Sequence, residues 1–235
     1  MQSNAETKAE RIVQVRDLDS GVDYMQAFDW QAALAEDRRA GRRPDTLLLL
    51  EHAPVYTLGR SANPENVLWD AEQRASAGIQ LVQTTRGGDV TYHGPGQLVG
   101  YPIIHLPQAG LGVLDYITAI EETIIRSAAD FGVEANRDAR NRGVWVGNCK
   151  LCALGIHVSH CVSRHGFAFN VNTRLGDFKG IVACGLHDAS VTSLERLLGH
   201  PVDMAEVKAS VQRHFAEVFG CRLEPCTDWP PAVPR

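Results

Sequence analysis

The sequence predicts an α+β fold with a mixed, largely antiparallel sheet and flanking helices. Two observations carry this prediction: apolar segments of strand length outnumber helical ones, and several neighbouring strands are separated by turns instead of helices. A doubly wound parallel sheet would need a long crossover, usually a helix, between its strands. The clearest hairpin signal is Gly147-Asn148, a tight-turn dipeptide between two apolar runs.

The predicted strands share short runs of apolar residues, either continuous or alternating with polar ones. Periodicity of the helical kind recurs three times, and each such segment has one apolar face. Thr192 and Glu195 have the spacing of a capping box and predict a further short helix. In chain order we expect strands at 11–15, 46–50, 55–58, 79–84, 98–106, 144–146, 150–158 and 167–171, and helices at 23–40, 113–131 and 204–218.

Length and composition indicate one globular domain covering residues 1–235, with loose termini at about 1–10 and 226–235. The net charge is −5, so no basic surface for nucleic acid is indicated. No apolar run reaches the length of a membrane span, and the polar N-terminus lacks the apolar core of a secretory signal. We therefore expect a cytoplasmic monomer that binds neither membranes nor nucleic acid.

The six cysteines are expected to be free thiols, because disulfides are rare in intracellular chains of this size. Three of them lie close to two histidines, which raises the question of a zinc site. Their spacing does not match structural zinc sites, where two ligand pairs are separated by a dozen or more residues. The sequence thus predicts no metal and no cofactor. The group comprises Cys149, Cys152, His157, His160 and Cys161.

A glycine-rich segment at residues 86–97 follows a predicted strand and contains Arg86 and His93. Glycines let a backbone turn sharply and let a ligand approach its N–H groups. The segment matches neither a phosphate-binding loop of the Walker type nor a dinucleotide fingerprint. A plain hairpin connection is one interpretation. A substrate-binding loop is the other, and the two side-chain donors favour it.

Lys150 and Cys184 are the residue types that thiolate catalysis requires. The thiolate is the reactive form of cysteine, and a nearby ammonium favours it by charge attraction. Most lysines are merely solvated, and most buried thiols are inert. Spacing in the sequence does not show whether these two side chains touch.

Several segments resemble the octanoyl transferases of lipoate biosynthesis, which belong to the biotin and lipoate ligase superfamily. The matches occur in order over most of the chain. The resemblance implies an α+β catalytic core shared with class II tRNA synthetases. The matching segments are RGGDVTYHGPGQLVGYPI at 86–103, GVWV at 143–146, Lys150 with ALGI at 153–156, HGFAFNV at 165–171 and GIVACGL at 180–186.

The resemblance also implies roles for individual residues. Cys184 would carry the acyl thioester, and Lys150 would lower the pKa of the Cys184 thiol. Three segments would bind the acyl substrate. Their residues are Arg86, Gly87, Gly88, Asp89, Val90, Thr91, Tyr92 and His93, then Ala153, Leu154 and Gly155, then Gly166, Phe167 and Ala168.

The implied reaction is transfer of an octanoyl group, through a cysteine thioester, from octanoyl-acyl carrier protein to a lysine of lipoyl domains. The acceptors would be the lipoyl domains of 2-oxoacid dehydrogenase complexes and the glycine cleavage H protein. One alternative is an ATP-dependent lipoate or biotin ligase on the same fold, which has no need of a nucleophilic cysteine. Another is a non-catalytic binding module. Loss of the lysine or of the cysteine would have supported that alternative, but both residues are present.

Overall fold

The computed structural model describes residues 10–182 and 190–231. Cys184 lies outside these described residues. The described strands are β1 (Arg11–Asp17), β2 (Asp45–Leu50), β3 (Val55–Leu58), β4 (Gln80–Gln83), β5 (Val90–His93), β6 (Gln97–Ile103), β7 (Gly143–Val146), β8 (Cys149–Ser159), β9 (Val162–Asn170), β10 (Ser190–Val191) and β11 (Cys221–Pro225). The described α-helices are α1 (Tyr24–Arg39), α2 (Ala71–Ala77), α3 (Val113–Asp130), α4 (Leu194–Leu198) and α5 (Met204–Phe219).

The strands form two sheets. The larger has eight strands in the order β10-β8-β9-β6-β2-β1-β11, with β7 paired to β8, and the smaller has the order β4-β3-β5. In the larger sheet β2, β6, β9, β8 and β7 pair antiparallel, whereas β1 pairs parallel with both β2 and β11. The predicted α+β class and mixed sheet are confirmed. The split into two sheets was not predicted.

Helices cover the larger sheet on both faces. Leu47 and Leu49 of β2 pack in one apolar cluster with residues of α3 and α5, whereas Leu48 and Leu50 pack in another with residues of α1. This alternation follows from the two-residue period of a strand and explains why four consecutive residues of β2, Leu47 to Leu50, are apolar. Ile120, Ile124 and Ala128 of the predicted apolar face of α3 are buried as expected, whereas Val113 at its start is exposed. Within residues 10–182 and 190–231, no helix is long and apolar enough to cross a bilayer.

The glycine-rich segment is only partly a loop. Residues Val90–His93 form β5, which pairs antiparallel with β3 in the smaller sheet. Val, Thr and Tyr favour extended backbone, and all four residues of β5 are buried. The sequence pattern did not predict this strand, because glycines surround its four residues.

Several boundaries differ from the predictions for local reasons. The short helix α4 is capped by Ser193, whose side chain accepts from the Arg196 N–H at 3.2 Å, and not by Thr192. The chain end is packed better than its prolines suggest. Cys226 donates its N–H to the Val15 carbonyl at 2.8 Å, and the Trp229 ring lies 4.9 Å from that of Trp30. Residues 226–231 are therefore not loose, because Trp229 buries apolar surface against α1.

Candidate active site

A cavity of about 430 Å³ lies between the two sheets and contains most of the predicted substrate-binding residues. Its volume is in the range typical of small-molecule sites. One wall comes from the segment that ends in β5, and the other comes from β8 and β9. Predicted residues that line it are Arg86, Gly88, Asp89, Val90, Thr91, His93, Ala153, Leu154, Gly155, Gly166, Phe167 and Ala168.

The Arg86 side chain is buried in the cavity wall and fixes the glycine segment to β3. Its Nε donates to Thr57 Oγ1 at 3.0 Å, its Nη2 donates to the Thr57 carbonyl, and its Nη1 donates to the Gly87 carbonyl at 3.0 Å. The fit is close: a Cβ at Gly59 would lie 2.1 Å from the Gly88 carbonyl oxygen. These contacts hold a cationic group beside the cavity in a fixed position.

Three predicted residues have a structural role or lie away from the cavity. Gly87 is absent from the lining, and its N–H donates to the Ile156 carbonyl at 3.0 Å. Tyr92 is also absent from it, since its hydroxyl donates to Asp177 Oδ2 at 2.8 Å. Asp89 does line the cavity, but its Oδ1 accepts from the Asn63 and Val90 N–H groups, at 3.1 and 2.7 Å. The Asp89 carboxylate thus ties the loop to the neighbouring segment.

Small residues form the opposite wall, where β8 and β9 pair. Ala153 is opposite Ala168, and Gly155 is opposite Gly166. A Cβ at Gly155 would lie 3.0 Å from Arg86 Cδ, so a larger side chain there would push into the Arg86 stem. The wall therefore leaves room for a ligand at these four positions, whose residues carry little or no side chain.

Buried histidines surround the cavity and are neutral. His93 donates from Nδ1 to Gln97 Oε1 at 2.8 Å, and burial, aided by His52 and Arg86, holds its pKa well below the usual value. Burial likewise lowers the pKa of His52 to about 4 and that of His165 to about 3. The His52 Nε2 accepts from the Tyr101 hydroxyl at 2.7 Å. These rings provide polar contacts without charge at neutral pH.

Lys150 lies on β8 beside this cavity and is only 5% exposed. Its Nζ donates to Asn141 Oδ1 at 2.9 Å and lies 4.7 Å from the centroid of the Trp145 ring. Asn141 lines the main cavity, and Lys150 itself lines a small adjoining pocket whose walls include Ala153 and Ala168. An amide oxygen and an aromatic face are both favourable contacts for an ammonium group, and they position the Lys150 Nζ near the ligand space.

The described residues on either side of Cys184 lead to this place. Val182, the last described residue before Cys184, donates its N–H to the Asn66 carbonyl at 2.8 Å. After Cys184, the first described residues form β10, which pairs parallel with β8 in the register Ser190–Cys149 and Val191–Lys150. The first described residues after Cys184 in the sequence therefore lie beside the strand that carries Lys150.

Two other cysteines flank Lys150 on β8. Cys152 is buried, and burial raises the pKa of its thiol, so it stays protonated and unreactive. The Cys149 Sγ lies 3.0 Å from Ser190 Oγ and is partly exposed. In residues 10–182 and 190–231, no group of three or more His, Cys, Asp or Glu side chains is arranged to hold a metal ion.

Sequence reasoning missed five residues of the cavity wall. Tyr24 is a buried residue of α1, and a helical period of 3.6 gives no sign that such a residue also lines a cavity. His165 stood next to the predicted Gly166 but was not selected. The missed residues are Tyr24, Ser61, Tyr101, Asn141 and His165. Tyr24, Tyr101 and His165 are aromatic, and of these three only Tyr24 comes from an element far from the predicted segments.

Comparisons with known proteins agree on one family. Residues 23–216 match the lipoyl protein ligase A/B catalytic domain. An octanoyltransferase of Caldicellulosiruptor saccharolyticus is 47% identical over 86% of this chain and 87% of its own length. An octanoyltransferase of Alkaliphilus metalliredigens is 46% identical over 84% of this chain and 91% of its own length.

Solved structures give the same picture of the fold. A lipoate-protein ligase A bound with ATP superposes with a TM-score of 0.75 at 15% identity, covering 93% of this chain and 90% of the ligase. A bipartite lipoate protein ligase from Thermoplasma acidophilum gives 0.66 at 16% identity, covering 92% of this chain and 86% of that protein. At such identities the likeness concerns the fold, and it agrees with the predicted catalytic core.

Proposed function

Because this chain belongs to the lipoyl protein ligase A/B catalytic domain family and is an octanoyltransferase, an acyltransferase of lipoate biosynthesis, we propose that it works through a thioester on Cys184. The donor is octanoyl-acyl carrier protein, and the acceptor is a lysine of a lipoyl domain. The acceptor domains are those of 2-oxoacid dehydrogenase complexes and the glycine cleavage H protein. The observation that carries the proposal is the buried Lys150 ammonium beside a cavity walled by small residues.

The cavity suits an acyl chain. Ala153, Gly155, Gly166 and Ala168 leave an open path along β8 and β9. Burying an aliphatic chain there would contribute roughly 0.8 kcal/mol for each methylene removed from water. Arg86 and the glycine segment cover the path from the other side. We therefore assign substrate contact to the twelve predicted residues that line the cavity, and a supporting role to Gly87 and Tyr92.

The reaction has two steps that balance without an external energy source. In the first, the Cys184 thiolate attacks the thioester carbonyl of the donor, the new C–S bond forms, and the carrier thiol leaves with a proton from Lys150. In the second, the acceptor amine attacks the octanoyl-cysteine, an amide forms, and Cys184 leaves as the thiolate. The amine proton passes to Lys150, which is restored as the ammonium.

A basic surface would attract the acidic carrier protein. The sequence contains two clusters of arginines, and both are already paired with carboxylates of this chain. Arg137 pairs with Glu122 at 2.7 Å, Arg140 with Asp138 at 2.6 Å, and Arg142 with Glu121 at 3.6 Å. The cluster after α1 is paired in the same way. Its members are Arg38, Arg39, Arg42 and Arg43. Each of these arginines already has a carboxylate partner, so their contribution to carrier binding is expected to be small.

The test is a reconstituted transfer. The protein is mixed with octanoyl-acyl carrier protein and a purified lipoyl domain, and the intact mass of the lipoyl domain is followed. We expect one octanoyl group to be added without ATP, and no addition with a lipoyl domain whose acceptor lysine is replaced by arginine. Addition that requires ATP and free octanoate or lipoate would instead identify an ATP-dependent ligase. No addition under either condition would contradict the proposal.

A further inference from the structure

The cavity wall formed by β8 and β9 changes character along its length. Ala153 faces Ala168, and two positions further Gly155 faces Gly166. The next pair is Ile156 with His165, and the His165 ring lines the cavity. Two rows of very small residues are thus followed by a large aromatic side chain. A channel with this wall has room beside the small residues and is obstructed at His165.

His165 lies in the cavity wall and has an unusual backbone conformation. His165 has a φ of 57°, in the left-handed region that residues other than glycine seldom adopt. Its N–H donates to Gln31 Oε1 of α1 at 2.7 Å, and its Nε2 lies 3.2 Å from Thr85 Oγ1. The ring also lies 5.9 Å from that of Phe28. These contacts fix a ring that is 1% exposed in one position.

One nitrogen of this ring is buried with nothing to bond to. The Nδ1 of His165 has no hydrogen-bond partner among residues 10–182 and 190–231. The Tyr101 ring, which also lines the cavity, lies 6.3 Å away and is nearly perpendicular to it. An aliphatic chain offers no hydrogen bond to this nitrogen, so a longer chain at this wall leaves its burial uncompensated. The obstruction is therefore both steric and polar.

The opposite end of the channel is the end at Lys150. Lys150 precedes Ile156, the partner of His165, by six positions on β8. The small pair Ala153–Ala168 lies only three positions from Ile156 and His165, or roughly 10 Å of strand, which is close to the length of an extended octanoyl group. Lys150 shares a small pocket with Ala153 and Ala168, which begin the row of small residues. An acyl chain whose carbonyl is near Lys150 would therefore extend its methyl end towards His165.

We propose that His165 is the end-stop that sets the acyl chain length accepted by this enzyme. The inference rests on the proposed function, since it takes the reacting carbonyl to lie at the Lys150 end. His165 limits specificity by position and takes no part in bond making. A shorter side chain at this position opens the far end of the channel. The terminal methylenes of longer acyl chains can then be buried there, which the wild-type side chain prevents.

The test is a competition between small thioesters that need no carrier protein. Octanoyl- and decanoyl-pantetheine are supplied together with a lipoyl domain, and the masses of the two products give the ratio of transfer. His165→Asn and His165→Gly shorten the side chain, and both replacements tolerate a left-handed φ. We expect the ratio of decanoyl to octanoyl product to rise by about tenfold, since two more buried methylenes contribute roughly 1.6 kcal/mol.

A matched control lies at the hairpin between β8 and β9. His160 also has a left-handed φ, 48°, but it is exposed and does not line the cavity. His160→Asn and His160→Gly should leave the product ratio unchanged. A wild-type series from hexanoyl to dodecanoyl provides a second measurement that needs no variant. Its transfer should fall abruptly beyond the preferred length.

The outcomes separate the end-stop from the proposed function. Transfer by folded His165 variants with an unchanged product ratio would overturn the end-stop alone. Equal use of octanoyl and dodecanoyl donors by the wild-type protein would do the same. Absence of transfer from every donor by the wild-type protein would overturn both proposals. Melting curves show whether each His165 variant is folded. If neither variant folds, the wild-type series of donors tests the end-stop instead.

Discussion

Asn141 is predicted to hold the Lys150 ammonium in the position that transfer requires. The Lys150 Nζ donates to Asn141 Oδ1 at 2.9 Å, and the Asn141 carbonyl accepts from Trp145 Nε1 at 3.2 Å. Asn141→Leu removes the amide acceptor and keeps a similar volume. A hydrogen bond to a charged group contributes about 1.5–3 kcal/mol, and partial exposure of Asn141 favours the lower end. We therefore expect kcat/KM to fall by roughly tenfold.

The assay is the rate of octanoyl transfer to a lipoyl domain, together with the pH dependence of Cys184 alkylation measured on its peptide. Asn136→Leu is the matched control. Asn136 is exposed and bridges the same tryptophan through its backbone, with N–O distances of 2.7 and 2.8 Å to Trp145. Its replacement should leave both readouts unchanged.

A further variant separates positioning from charge. Asn141→Asp keeps an oxygen acceptor for Lys150 but adds a negative charge beside the ammonium. Two opposite unit charges 4 Å apart attract by about 4 kcal/mol at an effective dielectric constant of 20. The carboxylate should therefore cancel much of the ammonium's effect on the thiol and reduce alkylation near neutral pH. Unchanged transfer and an unchanged alkylation profile in both Asn141 variants would refute the reasoning.

Three more predictions follow from the same contacts. Lys150→Met should raise the apparent pKa of Cys184 alkylation and reduce transfer at least tenfold, because the thiolate loses its ammonium. Glu121→Gln should lower the free energy of unfolding by about 2 kcal/mol and Tm by roughly 4–8 °C, because the buried Glu121 carboxylate accepts the Gly143 N–H at 3.0 Å and pairs with exposed arginines. The free energy of unfolding should fall as pH decreases from about 6.5 to 4, because His52 stays neutral in the folded protein and gains a proton in the unfolded chain. His52→Gln should make this pH dependence shallower.

Each of these predictions has a control in the chain. Lys179 is exposed, and Lys179→Met should alter neither alkylation nor transfer. Glu122 is next to Glu121 but more exposed, and Glu122→Gln should cost much less stability. His200 is exposed, and His200→Gln should leave the pH dependence of unfolding unchanged. A control that behaves like its buried counterpart would contradict the assigned cause.

Much of the architecture was predictable because it depends on local periodicity. The continuous leucines of β2 indicate a strand buried on both faces, and Gly132 marks the end of α3, where its φ is 76°. Strand β5 was missed because only four extended residues lie among glycines. The division into two sheets could not be predicted, since strand pairing depends on contacts between residues far apart in the sequence.

The candidate site was predictable where a motif is contiguous. The segments that contain Arg86, Gly155 and Gly166 do meet around one cavity. Individual roles within a segment were not predictable, because side chains on β5 alternate between the cavity and the small core, as Thr91 and Tyr92 do. His165 escaped notice because neither its left-handed φ nor its place in the cavity wall has a signature in the sequence.

The measurement that tests the account most directly is the location of the acyl group on the enzyme. The protein is mixed with octanoyl-acyl carrier protein without an acceptor, quenched in acid, and mapped by peptide mass spectrometry. We expect one octanoyl group on the peptide containing Cys184, its loss in Cys184→Ser, and its transfer to a lipoyl domain added before quenching. An octanoyl group that persists in Cys184→Ser, or that is found mainly on Cys149 or Cys152, would contradict the account.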